Sequence, residues 1–233
     1  MATPLIASLH GNIGMQAKAW TAIEDAMIGA LAYAGNLEKA TAHRHMFIRS
    51  GQTPSADSYG ALIAIVKDTT DDAMIAQELF DESQRLGVRP NTYLYNTIIS
   101  KLSRARKADR ALQLFAQMQS DSVQASSVTY GAVINACKRI GDEAKALELF
   151  EQMEQDRAFK PQVPPFNTMI QFYVQTKPDR ERALHFLEKL RRSRVNPSEH
   201  TYKLMLDLYG CVDVSLKYTI YFSARADLNR SSF

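Results

Sequence analysis

Two cysteines in 233 residues, Cys137 and Cys211, are too few and too far apart for a disulfide framework, and a chain built without one suits a reducing compartment. The histidines do not combine with them into a zinc quartet, and His43 and His45, two positions apart, fall on different faces of a helix. No cofactor is expected. Charge interrupts every hydrophobic segment before it reaches the ~18 residues that a spanning helix needs, which excludes membrane insertion. The first twenty residues hold one Lys, and no Arg precedes Arg44, so neither a signal peptide nor an arginine-rich presequence is visible. Also missing are G-x-x-x-x-G-K-[ST], H-E-x-x-H, and H-x-E followed by C-x-x-C. Neither an enzyme nor a small-molecule substrate is therefore expected, and acidic pairs such as Asp71-Asp72 and Asp142-Glu143 fit helix starts better than metal ligation.

What the chain does contain is repetition. Tyr130 recurs as Tyr59, Tyr95, Phe166 and Tyr202, at intervals of 36, 35, 36 and 36 residues. Phe150 recurs as Phe80, Phe115 and Phe186, and Pro54, Pro90, Pro161 and Pro197 mark the ends of units. Three residue classes sharing one period imply tandem supersecondary units that stack on their neighbours. Charge follows the repeats: residues 92–198 carry a net +6 and residues 1–91 a net −3, so the basic excess sits where the pattern is most regular and suits a polyanion partner.

Residues 1–20 read as a degenerate N-terminal cap or partial repeat. The array then runs over 21–210, as units 21–55, 56–91, 92–126, 127–162 and 163–198 with a partial unit at 199–210. Within a unit, apolar residues at i, i+3, i+4 and i+7 mark two amphipathic helices, as in Tyr95, Ile98, Ile99 and Leu102 followed by Ala108, Ala111, Leu112, Phe115 and Met118. Gly35-Asn36 breaks the first unit, and Gly87 closes the second unit's second helix through positive φ. Ala111, Ala146 and Ala183 hold matching places, where close approach of antiparallel helices asks for a small side chain. Residues 211–233 form an atypical tail in which YTIYFS is strand-like.

The strings YLYNTIISKLSRARKADRALQLFAQM, VTYGAVINACKRIGDEAKALELFEQM and PFNTMIQFYVQTKPDRERALHFLEKL, closed by turns such as GVRPN and RVNPS, resemble pentatricopeptide repeats of the P type. The resemblance covers about residues 21–210 and implies an all-α fold, a right-handed α-solenoid of tandem helix-turn-helix repeats. It also implies a groove that holds single-stranded RNA at one base per repeat, and hence mitochondrial RNA metabolism or translation as the setting.

In such repeats the residue after the aromatic and the last residue of the unit read the base together. The resemblance transfers those roles to Asp25 with Ser55, Gly60 with Asn91, Asn96 with Ser126, Gly131 with Gln162, and Asn167 with Ser198. Asn with Ser resembles pyrimidine-preferring pairs, whereas Gly60 and Gly131 offer no side chain. The base-wedging position falls on Tyr93, Val128 and Pro164, and on an ill-suited Asp57; the phosphate-contacting position falls on Arg104 and Arg139, but on Asp68 and Gln175 in two other units. Other organellar gene-expression proteins are further partners of the kind implied. A protein-binding scaffold, or the RNA-binding arm of a larger RNA-processing enzyme, remain the alternatives.

Overall fold

The computed structural model describes residues 13–67, 72–156, 160 and 162–209. The expectations for 1–12, for Asp68 and Asp71, and for the tail with its strand-like YTIYFS lie outside these residues. The described residues form eleven α-helices and no strand. Helices α1 (Ile13–Tyr33) and α2 (Leu37–Arg49), α3 (Ala56–Ile65) and α4 (Asp72–Arg85), and α7 (Ser127–Ile140) and α8 (Glu143–Gln155) pack as hairpins, and between the last two pairs α5 (Thr92–Arg104) is followed in the chain by α6 (Ala108–Ser120). Helix α9 (Val163–Gln171), prolonged by a π-helical turn at Phe172–Thr176, pairs with α10 (Arg180–Arg192), and α11 (Glu199–Tyr209) follows. The contacts divide the chain into two compact units, Met1–Lys101 and Leu102–Phe233, with the division inside α5.

Local chemistry sets the boundaries. Asn36 caps α2 by accepting from Lys39 N at 3.1 Å, Asp142 caps α8 through Lys145 N at 3.0 Å, and Asp179 caps α10 through Arg182 N at 3.0 Å. Gly35, Gly87 and Gly141 take the left-handed φ of 75°, 74° and 77° that a turn out of a helix requires. Pro178 cannot continue α9, and the chain leaves that helix through the widened turn, with Lys177 N donating to Phe172 O at 2.9 Å and Asp179 N to Tyr173 O at 2.8 Å.

In the first unit the core runs from Ile28 and Ala32 through Phe47, Tyr59, Leu62 and Ile63 to Phe80, Tyr95, Ile98 and Ile99, all buried. The Phe80 and Tyr95 rings lie 5.8 Å apart. Beneath them sits a polar group: the buried Arg44 pairs with Glu82 at 3.4 Å and meets His45 Nε2 at 2.7 Å, while Tyr59 donates its hydroxyl to Glu82 at 2.7 Å. Burial and that acceptor push the Tyr59 phenol far above its ordinary range. The buried Lys101 runs its stem through the interior and donates to the carbonyl of Val66.

The second unit repeats the plan. Phe150 meets Phe166 at 5.1 Å and Phe186 at 5.0 Å, both edge to face, and Tyr173 stacks on Phe186 at 5.7 Å. The predicted aromatic stripe is core throughout, with Tyr59, Tyr95, Tyr130, Phe166 and Tyr202 all buried. Ala111, Ala146 and Ala183 are fully covered, and Ala76 is their counterpart in the second hairpin.

Glu143 does more than start α8. Its carboxylate accepts from Lys177, from the Tyr173 hydroxyl at 2.8 Å and from Arg182, joining the hairpin of α7 and α8 to that of α9 and α10. The hydrogen bonds from Lys177 and Tyr173 hold its carboxyl below the usual carboxylate range. A depressed folded pKa gives stability that is complete above the unfolded value and is lost as pH falls through the folded one. Urea denaturation should therefore show wild type more stable than Glu143→Gln at pH 7, with the gap closing below about pH 4 as both carry a neutral group. A gap that persists unchanged at pH 3 would contradict an ionic role for Glu143.

Candidate nucleic-acid interface

Each hairpin's first helix begins with the residues that the sequence comparison singles out, and capping chemistry places them. Ser55 accepts from Ser58 N at 3.2 Å, Asn91 from Leu94 N at 2.9 Å, Ser126 from Thr129 N at 3.3 Å and Ser198 from Thr201 N at 3.3 Å. Ser126 and Ser198 complete a reciprocal arrangement, since Thr129 Oγ1 and Thr201 Oγ1 accept from their backbone N–H groups at 2.8 Å and 3.0 Å. Gln162 is the exception: it is exposed and makes no side-chain cap bond.

The fold brings the paired positions together across 31 residues of chain. Asn167 Nδ2 donates to Ser198 Oγ at 3.2 Å, while its Oδ1 accepts from Thr201 Oγ1 at 2.7 Å. Asn167 thus bonds to the next helix start and not within its own turn, and it is 8% exposed. One amide hydrogen and one carbonyl lone pair of Asn167 remain beyond these two bonds. Asp25 meets Ser55 in the same way, its Oδ1 accepting from Ser55 N at 2.8 Å. Asn91 instead donates to Asp57 at 2.8 Å, because Gly60 has nothing to offer it.

Of the base-wedging set, Val128 stands half out of the surface at 50% exposure. Pro164 is exposed and Tyr93 half-buried. Tyr93 makes a hydroxyl-to-hydroxyl bond of 2.7 Å with Tyr33, and burial together with that bond pushes its phenol up to about 12. Beside it lies a cavity of about 570 Å³ lined by Asp25, Gly29, Tyr33, Asp57, Ala61 and Tyr93.

Arg104 and Arg139 are exposed at the ends of α5 and α7, and Gln175 is exposed in the matching place. Lys138, next to Arg139, is half-buried and donates to Gln171 at 2.6 Å. Burial, and then the neighbouring Arg139 charge, lower its ammonium to about 8, so at neutral pH it still adds positive charge to the same edge. Two contacts between neighbouring first helices were not expected from the sequence: Lys138 to Gln171, and Asn135 to Ser103 at 2.9 Å. Both join the twelfth residue of one unit to the ninth of the next, and a polar residue recurring at those two places is the signal that marks them.

These features define a tandem helical-hairpin repeat protein whose first helices carry a row of polar pairs, an exposed apolar position and terminal cations. The family model described as "Pentacotripeptide-repeat region of PRORP" matches residues 49–217, and the chain belongs to the pentatricopeptide-repeat family. Over 190 residues it is 51% identical to "Pentatricopeptide repeat-containing protein 5, mitochondrial" of Schizosaccharomyces pombe, covering 81% of this chain and 15% of that protein. The chain thus spans about a sixth of that relative's length. Its fold is similar to that of the PPR domain of Arabidopsis thaliana protein-only RNase P 1, solved in complex with tRNA, with a TM-score of 0.51, 22% identity, and 68% and 80% of the two chains covered. The maize protein PPR10 matches with a TM-score of 0.54 at 24% identity, over 87% of this chain and 29% of that one. Nuclear proteinaceous RNase P 2 of A. thaliana matches with 0.62 at 16%, over 80% and 41%.

Proposed function

We propose that this chain binds single-stranded RNA along the first-helix face of its repeats, without catalysing a reaction itself, and that it serves mitochondrial RNA metabolism or translation. The observation that carries this reading is the Asn167–Ser198 bond of 3.2 Å, which makes two residues distant in sequence into one polar element at the start of a helix. By the family resemblance Asn96 and Ser126 hold the corresponding reading positions two repeats earlier, each in its own compact unit, Val128 would lie between bases, and Arg104 and Arg139 would hold phosphates. Family membership supports the RNA partner, and the word mitochondrial in the relative's name supports the compartment.

Phosphate neutralisation makes affinity fall with salt, by a log–log slope of about −0.7 per phosphate for a single strand. Arg104→Ala combined with Arg139→Ala is expected to weaken binding of an unstructured RNA by about tenfold or more at low salt, and to flatten the slope by roughly 1.4. Fluorescence anisotropy titrations over a range of salt would measure both. Equal affinity and equal slope in the double variant would overturn the interface, and retention of protein partners after nuclease treatment, with no RNA bound, would favour the scaffold reading.

A further inference from the structure

Two of the reading positions are glycines; the space above Gly60 is already filled, and the space above Gly131 is tight. A Cβ built on Gly60 would lie 2.3 Å from Cε1 and 2.7 Å from Cδ1 of Tyr93, far inside contact distance. A Cβ on Gly131 would lie 3.3 Å from Cβ of Pro164 and 3.6 Å from its carbonyl carbon. In both cases the intruder is the second residue of the following repeat, 33 positions along the chain, and in both it is a ring. Neither glycine has a left-handed φ, so no turn explains them. Close approach does.

Each ring is also fixed independently. Tyr93 is held by its 2.7 Å bond to Tyr33, and Pro164 lies in the first turn of α9, where a proline's missing donor costs nothing. Where the reading position carries Asn167, the following repeat has His200 in the second place, exposed, and Asn167 reaches Ser198 and Thr201. At Gly60 a reader side chain and a ring lying against the position therefore exclude each other, and at Gly131 the proline leaves little room for one; His200, a ring in the same place, is exposed and stands beside a reader that reaches the next helix start.

Resting on the RNA-binding reading above, we infer that Gly60 and Gly131 make their repeats sequence-blind, because the following repeat's ring occupies the reader's place and holds a base by its face alone. Stacking on a ring is tolerant of base identity, since every base has a π face. Asn91 and Gln162 then serve no reading pair: the first is committed to Asp57 and to its cap, and the second faces solvent. Tyr93, with the 570 Å³ cavity beside it, is the stronger of the two platforms, and Pro164 the weaker.

The test has an RNA arm and an RNA-free arm, both on the full chain. Tyr93→Leu should weaken binding to oligo-U, oligo-C and oligo-A by one common factor, about 5- to 100-fold for the loss of one stacked base. Gly60→Asn with Tyr93→Val should bind one of the three homopolymers better than the others by about fivefold more than wild type does. In urea denaturation, Gly60→Asn alone should lower the midpoint, and Tyr93→Val should recover much of that loss. Base-dependent losses in Tyr93→Leu, or unchanged discrimination in the folded double variant, would overturn the inference while leaving RNA binding intact. Wild type that binds none of the three RNAs would overturn the parent reading and this one together.

Discussion

Phe150→Ala is expected to lower the stability of the second unit by about 3–5 kcal/mol, the range for removing a buried aromatic side chain that the surroundings cannot refill. Phe150 is 1% exposed and is the ring that Phe166 and Phe186 both meet edge to face, with Lys189 Nζ lying 5.2 Å from its centroid. Three successive helices, α8, α9 and α10, lose a common contact when it goes. Because repeats depend on their neighbours, the loss should show as early melting of α8 to α11 and not as a uniform shift. The only tryptophan, Trp20, lies in α1 and reports on the first unit. Far-UV circular dichroism should therefore show a transition at lower urea than Trp20 fluorescence does in the variant. Coincident, unshifted transitions would mean that the cluster can repack.

In the first unit the corresponding weak point is polar. Glu82→Ala is expected to cost ~3 kcal/mol, near the lower end for deleting one partner of a buried ion pair, since Glu82 itself keeps 26% exposure. The variant leaves the Arg44 guanidinium buried with only His45 as partner, and removes the acceptor of the buried Tyr59 hydroxyl. Arg44 Nε already lacks a hydrogen-bond partner among the described residues, so the site has no reserve. Adding Arg44→Met to Glu82→Ala should restore most of the loss by replacing an orphaned charge with an apolar side chain of similar length. A Glu82→Ala midpoint within error of wild type would show that water reaches Arg44 freely.

The fold was legible because its determinants are periodic. The stripe from Tyr59 to Tyr202, the small residues at Ala111, Ala146 and Ala183, and the turn at Gly87 each depend on helical spacing or on a local backbone demand, which single residues announce. The left-handed residues Arg106, Ser122 and Arg194, with φ of 61°, 57° and 56°, were not legible, because nothing in those side chains asks for that conformation. Long polar side chains were also opaque. Lys101 is buried against the Val66 carbonyl, Lys138 is half-covered, and Glu143, which the sequence marks as a helix start, also binds three groups of the next hairpin. Their destinations are fixed by a neighbouring repeat, and no local pattern encodes that. The candidate readers were found by position alone, which located Asn167 and Ser198 side by side but gave no hint that Asn167 is almost fully covered.

The terminal residue of a repeat is a helix cap before it is anything else. Ser55, Asn91, Ser126 and Ser198 each satisfy a backbone donor, and exchanging such a cap for alanine costs about 1 kcal/mol. Evolution, or an engineer, changing what such a position recognises is thus confined to an alphabet of four letters, Ser, Thr, Asn and Asp, that recognition did not choose. Gln162 makes no side-chain cap bond, and among the described repeat ends it is the place where that alphabet can be widened without loosening a helix.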